Sequence, residues 1–151
     1  MKSHIRVPAG EDNALVLTCG SPERAEWFSQ FLDAPKEIAK NREYHSFRGN
    51  YKGKSILILS HGVGSAGAAI AFSEVIESGA KKIIRIGTAG GLYDQVQFGD
   101  IVVPTAAVRE DGASRLLLPM EYPAIADLDL TQSLLKGVRA KSNRVRSGRR
   151  V

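Results

Sequence analysis

The sequence predicts a layered α/β fold, and three features of the chain support this. Apolar runs that suit buried strands alternate with segments in which apolar residues recur at helical spacing. Two of the runs, at 14–19 and 82–84, lead into clusters of glycine and arginine. A third run leads through the glycine-rich stretch 61–67 into a helical segment. Strands that alternate with helices in this order are typical of a sheet covered by helices.

The predicted elements follow one another along the chain. After the strand at 14–19, Ser21 suits the N-cap and Pro22 the first residue of a helix, whose apolar face continues until Pro35 ends it. The later elements are a strand hairpin at 43–49 and 55–60 with its turn at 50–53, a helix at 68–78, strands at 82–88 and 100–108, and a helix at 129–141 capped by Asp127 or Asp129.

Size and composition limit the class of protein. The chain has 151 residues, 43% of them hydrophobic, which is enough for one domain with a core. No apolar run approaches the length that crosses a bilayer, and the N-terminus lacks a signal-peptide pattern, so no membrane partner is expected. The single cysteine, Cys19, excludes an internal disulfide and favours a small buried thiol. These features predict a cytoplasmic protein.

The positive charge is concentrated at the C-terminal end. The net charge is +5, but seven of the 21 basic residues follow position 135 with no acidic residue among them. A nucleic-acid-binding module is therefore one alternative. This stretch has no aromatic residue on which a base could stack, so we expect a solvated or disordered tail and no nucleic-acid partner.

A glycine motif offers a second alternative. Gly62, Gly64 and Gly67 have the spacing of the dinucleotide-binding fingerprint, between a strand and a helix. That fingerprint also requires an acidic residue at the end of the next strand, which here runs through Arg85 to Thr88 without one. A tight strand-to-helix turn with close packing is the favoured interpretation, and NAD binding is the alternative.

The two clusters of glycine and arginine predict an oxyanion site. Gly20 offers a backbone N–H at a helix N-terminus, where the dipole favours negative charge, and Arg24 lies in the first turn of that helix. Arg85 adds a second guanidinium and Thr88 a hydroxyl, and Arg42 is a third candidate cation. Taken singly, each arginine could instead pair with a neighbouring glutamate or remain an exposed charge.

These residues and their neighbours resemble the nucleoside phosphorylase family, which includes hexameric bacterial purine nucleoside phosphorylases and uridine phosphorylases. The family motif usually has Asp where this chain has Ser21. The segments 108–114 and 121–127 look most like uridine phosphorylases. Matching segments keep a consistent order through residues 4–140 and are found at 4–5, 20–24, 41–43, 61–67 and 85–90.

The resemblance implies a three-layer α/β/α fold with a central mixed sheet, and roles for the matched positions. Phosphate would be bound within the subunit, whereas Arg42 would reach the phosphate of a neighbouring subunit and His4 the neighbour's ribose. It also implies a homo-oligomer, such as a dimer-based hexamer, and no metal or organic cofactor. The residues implied for phosphate within the subunit are Gly20, Arg24, Arg85 and Thr88.

The implied reaction is phosphorolysis of a nucleoside, with uridine favoured, to the free base and ribose 1-phosphate, inorganic phosphate being the co-substrate. Family members continue well past residue 151, and their later half carries the ribose- and base-binding residues. We therefore expect a truncated chain, with the N-terminal part of the family domain at 1–140 and a divergent basic tail at 141–151, and weak or absent activity. The alternatives are a purine nucleoside phosphorylase and a non-catalytic relative that keeps only the phosphate site.

Overall fold

A computed structural model describes residues 3–150, which form two compact units that divide after Thr88. The first unit contains a five-stranded mixed sheet and two helices. The strands are β1 (Leu15–Cys19), β2 (Asp33–Asn41), β3 (Tyr44–Tyr51), β4 (Lys54–Ser60) and β5 (Lys82–Arg85), and the helices are α1 (Pro22–Ser29) and α2 (Ser65–Glu77).

The spatial order of the strands is β2-β3-β4-β1-β5. The three strands β4, β1 and β5 run parallel, and β2, β3 and β4 are antiparallel neighbours. Successive side chains of a strand face opposite sides of the sheet. Leu57 of β4 accordingly packs with α2, whereas the next residue, Ile58, packs with α1. Helices thus cover both faces of a mixed sheet, as predicted.

The second unit contains a smaller sheet of three strands. Its strands are β6 (Ile101–Ala107), β7 (Ala124–Ile125) and β8 (Val145–Arg150), and its helices are α3 (Gly112–Leu117) and α4 (Leu128–Arg139). In the order β7-β6-β8, β7 is antiparallel and β8 parallel to β6. The side chain of Asp127 caps α4 by accepting the Leu130 N–H at 2.8 Å, as predicted for one of its two candidate caps.

Two elements of the first unit differ from the prediction. Helix α1 ends at Ser29, and the strand β2 begins at Asp33, so that Pro35 lies in a strand rather than after a helix. A proline is compatible with an edge strand, and the pairing of β2 with β3 is irregular there. Helix α2 starts three residues earlier than predicted, because Gly64 at a φ of 93° turns the chain directly into it.

Residues 145–150 of the basic C-terminal stretch form a strand, which differs from the disordered tail that is one of the two expectations. The strand β8 adds to the edge of β6, and the carboxylate of Asp100 accepts hydrogen bonds from Arg144 Nε at 3.0 Å and Arg146 Nε at 2.6 Å. Part of the positive charge is therefore paired. Among the described residues, no helix combines the length and the apolar character needed to cross a membrane.

Candidate functional site

An open cleft of about 430 Å³ lies in the first unit, where the parallel strands β1, β4 and β5 end. Each strand contributes the residue at or directly after its carboxyl end: Gly20 after β1, His61 after β4 and Arg85 at the end of β5. Ligands of α/β sheets bind characteristically outside the carboxyl ends of the strands. The remaining lining residues belong to the turn before α2 and its first residues: Gly62, Val63, Gly64, Ser65 and Ala68.

The N-terminus of α1 is formed as the sequence predicts. Ser21 is the N-cap, and its Oγ accepts the backbone N–H of Arg24 at 3.3 Å. Pro22, which has no N–H group, occupies the first helical position. Gly20 therefore stands directly before a capped helix, where the backbone dipoles favour an anion.

A side-chain hydrogen bond joins Arg85 and His61 on the cleft wall. The Nε–H of Arg85 donates to Nε2 of His61 at 2.9 Å. His61 is only 3% exposed, and its Nδ1 has no hydrogen-bond partner among the described residues. Burial lowers the pKa of His61, and the charge of Arg85 lowers it further. The imidazole is therefore neutral, with its proton on Nδ1, because Nε2 must accept from a guanidinium that is always protonated.

The guanidinium of Arg85 also lies against Gly87. A Cβ atom added to Gly87 would stand 2.6 Å from Nη1 of Arg85. Real contacts of a Cβ atom are not this short, so the position of the guanidinium requires a residue without a side chain here. Gly87, in the glycine cluster after β5, thus leaves the space that the Arg85 guanidinium occupies.

Arg24 and Thr88 are placed differently from Arg85. Arg24 is half-buried in the first turn of α1, and it forms no ion pair with Glu23 or another described residue. Burial raises the pKa of the buried Cys19 thiol, and both Arg24 and Arg85 act in the opposite direction, so both charges lie near the end of β1. Thr88 is exposed beyond β5 and does not line the cleft.

Neither Arg42 nor His4 lines the cleft, and Asn41, which precedes Arg42, contacts His4. Arg42 is exposed in the turn between β2 and β3 at a φ of 54°, and it has no ion pair within residues 3–150. The neighbouring Asn41 donates its Nδ2–H to the backbone oxygen of His4 at 2.8 Å. Nδ1 of His4 is 2.7 Å from Oε1 of Glu74, which also accepts the backbone N–H of His4. The side chain of Asn41 thereby holds the chain near His4 beside the turn that contains Arg42.

The structure adds His61 and the turn before α2 to the residues that sequence reasoning placed at the site. The turn is tight and closely packed, as predicted: Gly62 has a φ of 73°, and a Cβ on Gly67 would lie 2.8 Å from the His61 oxygen. The sequence signal that could have identified His61 is its position directly after a strand parallel to β1. The carboxyl ends of parallel neighbours meet at one edge of a sheet.

These features define an α/β protein of the kind that holds a ligand at the carboxyl ends of parallel strands, with an arginine and a helix N-terminus at that position. The profile of the family described as Phosphorylase superfamily matches residues 14–151. The chain belongs to this family, and the resemblance to nucleoside phosphorylases is confirmed.

Individual relatives carry both names used for that resemblance. The chain is 42% identical over 135 residues to "Purine nucleoside phosphorylase" of Plasmodium vivax and 37% identical over 148 residues to "Uridine phosphorylase" of Thermococcus kodakarensis. These alignments cover 89% and 98% of this chain. A crystal structure of uridine phosphorylase from Vibrio fischeri superposes with a TM-score of 0.92 at 34% identity, over 97% of this chain.

The matches also give the relative length of this chain. It spans 55% and 53% of the two curated relatives and 62% of the solved uridine phosphorylase chain. The chain thus spans about half the length of the curated relatives it matches.

Proposed function

We propose that this chain is the phosphate-binding part of a nucleoside phosphorylase. The observation that carries the proposal is the shared cleft of Gly20 and Arg85, at the carboxyl ends of β1 and β5. Arg85 has one protein hydrogen bond among the described residues, through Nε, so its terminal N–H groups are available to an anion. A guanidinium and backbone amides at a helix N-terminus are the donors that suit phosphate oxygens.

In the proposed reaction, an oxygen of inorganic phosphate forms a bond to the anomeric carbon of the ribose while the bond from that carbon to the base breaks. The bonding electrons leave with the base, which takes up a proton, and ribose 1-phosphate is the other product. The transition state resembles an oxocarbenium ion. Arg85 and the N–H of Gly20 would hold the phosphate beside this developing positive charge. Positioning and electrostatic stabilisation would therefore supply much of the rate enhancement. Arg24 and Thr88 are proposed to complete the phosphate site.

We propose further that the surface of Arg42 and His4 serves a neighbouring subunit of a homo-oligomer. Both side chains lie outside the cleft of their own subunit, and Asn41, the neighbour of Arg42, donates to the His4 carbonyl. An exposed guanidinium and a partly exposed imidazole suit a phosphate and a ribose hydroxyl of a partner. A dimer-based hexamer is the assembly that the family resemblance favours.

Uridine is the proposed nucleoside, because the solved structure described above is that of a uridine phosphorylase and residues 108–114 resemble that branch. A purine nucleoside is the second candidate, favoured by the relative with 42% identity from Plasmodium vivax. The comparison that separates them is release of the free base from uridine and from inosine, each with and without phosphate. We expect slow, phosphate-dependent release that is faster from uridine. Release at equal rates without phosphate would contradict phosphorolysis.

The phosphate site itself is tested by calorimetric titration of the purified chain with inorganic phosphate. We expect saturable binding that Arg85→Ala weakens by about tenfold to a hundredfold, because charge-assisted hydrogen bonds are lost. Arg139→Ala is the matched control, since it removes an exposed arginine on α4 in the second unit. Absent binding, or an equal loss in both variants, would overturn the proposed site.

A further inference from the structure

We propose that His61 positions the guanidinium of Arg85 for anion binding by accepting its Nε–H at the wall of the cleft. The role is that of a positioning residue, because His61 acts through Arg85 rather than on the ligand. The inference rests on the proposed phosphate site and adds a residue to it.

Arg85 needs an anchor because its side chain is exposed. An exposed arginine samples many rotamers, and ordering it on binding costs free energy. A single bond at Nε fixes the plane of the guanidinium while leaving both terminal nitrogens free, which is the arrangement that recognises two oxygens of one anion. Gly87 leaves the space in which this orientation fits.

His61 is suited to serve as that anchor because it is itself held in place. Its backbone N–H donates to the Cys19 oxygen at 2.9 Å, which ties it to the end of β1. Its ring packs edge-on against Phe72 of α2, with ring centroids 5.7 Å apart. The acceptor atom Nε2 therefore has a fixed position relative to both the sheet and α2.

The hydrogen bonding of His61 also favours a role as acceptor for Arg85 over a role in core packing alone. The bond to Arg85 requires a lone pair on Nε2 and so places the proton on Nδ1. That Nδ1–H is buried without a partner among the described residues, which costs stability. An apolar ring would fill the same space without this cost. A histidine at this position is explained by the acceptor that it provides to Arg85.

Two variants separate the acceptor from the ring. His61→Phe keeps a ring of similar size but removes the acceptor, whereas His61→Gln offers Oε1 near the position of Nε2. We expect His61→Phe to weaken binding of inorganic phosphate by about tenfold in calorimetric titration, and His61→Gln to retain most of the affinity. The matched control is His45→Phe, since His45 is also 3% exposed but lies on β3 outside the cleft.

Nitrogen NMR provides a readout that a purely structural role would not change. We expect His61 to carry its proton on Nδ1, and the Arg85 Nε–H to exchange slowly with water in the wild type and in His61→Gln but rapidly in His61→Phe. A proton on Nε2 in the wild type would overturn the proposal. Because this measurement needs only the wild type, it remains decisive if a thermal melt shows that His61→Phe is unfolded. Equal affinity losses in the Phe and Gln variants would also overturn it, because ring packing would then be the cause.

The outcomes also separate this inference from the proposed function. Phosphate binding by the wild type that is unchanged in folded His61→Phe would refute the positioning role and leave the phosphate site intact. A wild type without phosphate binding would refute both.

Discussion

At the scale of single residues, the orientation of Arg85 in the cleft depends on two of its neighbours. His61 accepts the Nε–H at 2.9 Å, and Gly87 offers a surface without a side chain to Nη1. His61 follows β4 and Gly87 follows β5, and they lie near different nitrogens of one guanidinium. The direction of Arg85 is therefore determined by residues that lie close to it in the fold and need not touch a ligand.

Gly87→Ala tests the contribution of the glycine. The new Cβ would meet Nη1 at 2.6 Å, and the guanidinium, as the end of a flexible side chain, can move away. We expect the free energy of unfolding to change by less than about 0.5 kcal/mol, as for other surface substitutions, while the affinity for inorganic phosphate falls by about threefold to tenfold. Urea denaturation and calorimetric titration measure the two quantities.

Gly90→Ala is the control for this substitution, because a Cβ at that position has no atom within 4 Å. It should change neither quantity. Unaltered phosphate affinity in Gly87→Ala would show that the orientation of Arg85 seen here is not the one that binds the anion.

Residues of the site could be predicted from the sequence only where they lie at or directly after the end of a predicted strand. Gly20 and Arg85 were predicted from the runs that precede them, and the parallel pairing of β1 with β5 places them at one cleft. His61 was assigned no role from the sequence, because its proposed role depends on a hydrogen bond to Arg85, which is 24 positions away. Whether Thr88 completes the site remains a prediction, since it lies outside the lining residues.

At the scale of elements, apolar patterning distinguished the predicted segments from the missed ones. The strands β1 and β4 have apolar runs and were predicted within two residues. The edge strand β2 has exposed side chains at each of its first five positions and contains a proline, so it lacks the alternation that marks a strand. Its pairing with β3 determines its structure, and a single-sequence pattern does not reveal that pairing.

Segment 110–122 was missed for a different reason. The buried guanidinium of Arg109 donates to the backbone oxygens of Ser114, Leu118, Pro119 and Tyr122 at 2.5–2.9 Å. One side chain thus organises α3 and the approach to β7, without a repeating apolar pattern. Side-chain-to-backbone bonding of this kind is visible only once the chain is folded.

The attachment of β8 predicts a pH dependence. The carboxylate of Asp100 is 4% exposed and accepts from Arg144, Arg146 and the backbone N–H of Gln97. The hydrogen bond from Arg146 leads the contacts that lower the pKa of Asp100 to about 2, from 3.8. Because the pKa is lower in the folded state, the stabilisation is fully present above about pH 4 and is lost as the pH falls through about 2.

Asp100→Asn should therefore loosen β8 at neutral pH and remove this acid-dependent step. We expect amide hydrogen exchange at 145–148 to become about tenfold faster, because local opening of the strand costs less free energy. Asp94→Asn is the control, since Asp94 is an exposed carboxylate in the same unit. Exchange at 145–148 that is equally slow in both variants would show that strand pairing alone holds β8.

At the scale of the whole molecule, the two units differ in how much apolar surface they cover. The first unit buries two apolar clusters, one on each face of its sheet. Large apolar side chains of the second unit are exposed in close succession, from Leu116 to Leu118 and again at Met120, Tyr122, Ile125 and Leu128. So many large exposed apolar side chains within one short segment favour association.

We expect the purified chain to associate through these side chains in a concentration-dependent way. Leu116 is 89% exposed and Leu128 is 68% exposed, so lysine at either position should not disturb the packing of its own chain. In multi-angle light scattering, the average mass of the wild type should rise with concentration. The double variant Leu116→Lys with Leu128→Lys should reduce that rise at least about twofold.

The matched control is a pair of lysines at Thr105 and Gln132, which are exposed polar positions of the same unit. An average mass that stays constant with concentration would contradict the prediction. A fixed oligomer that both double variants preserve would instead indicate assembly through another surface, such as that of Arg42 and His4.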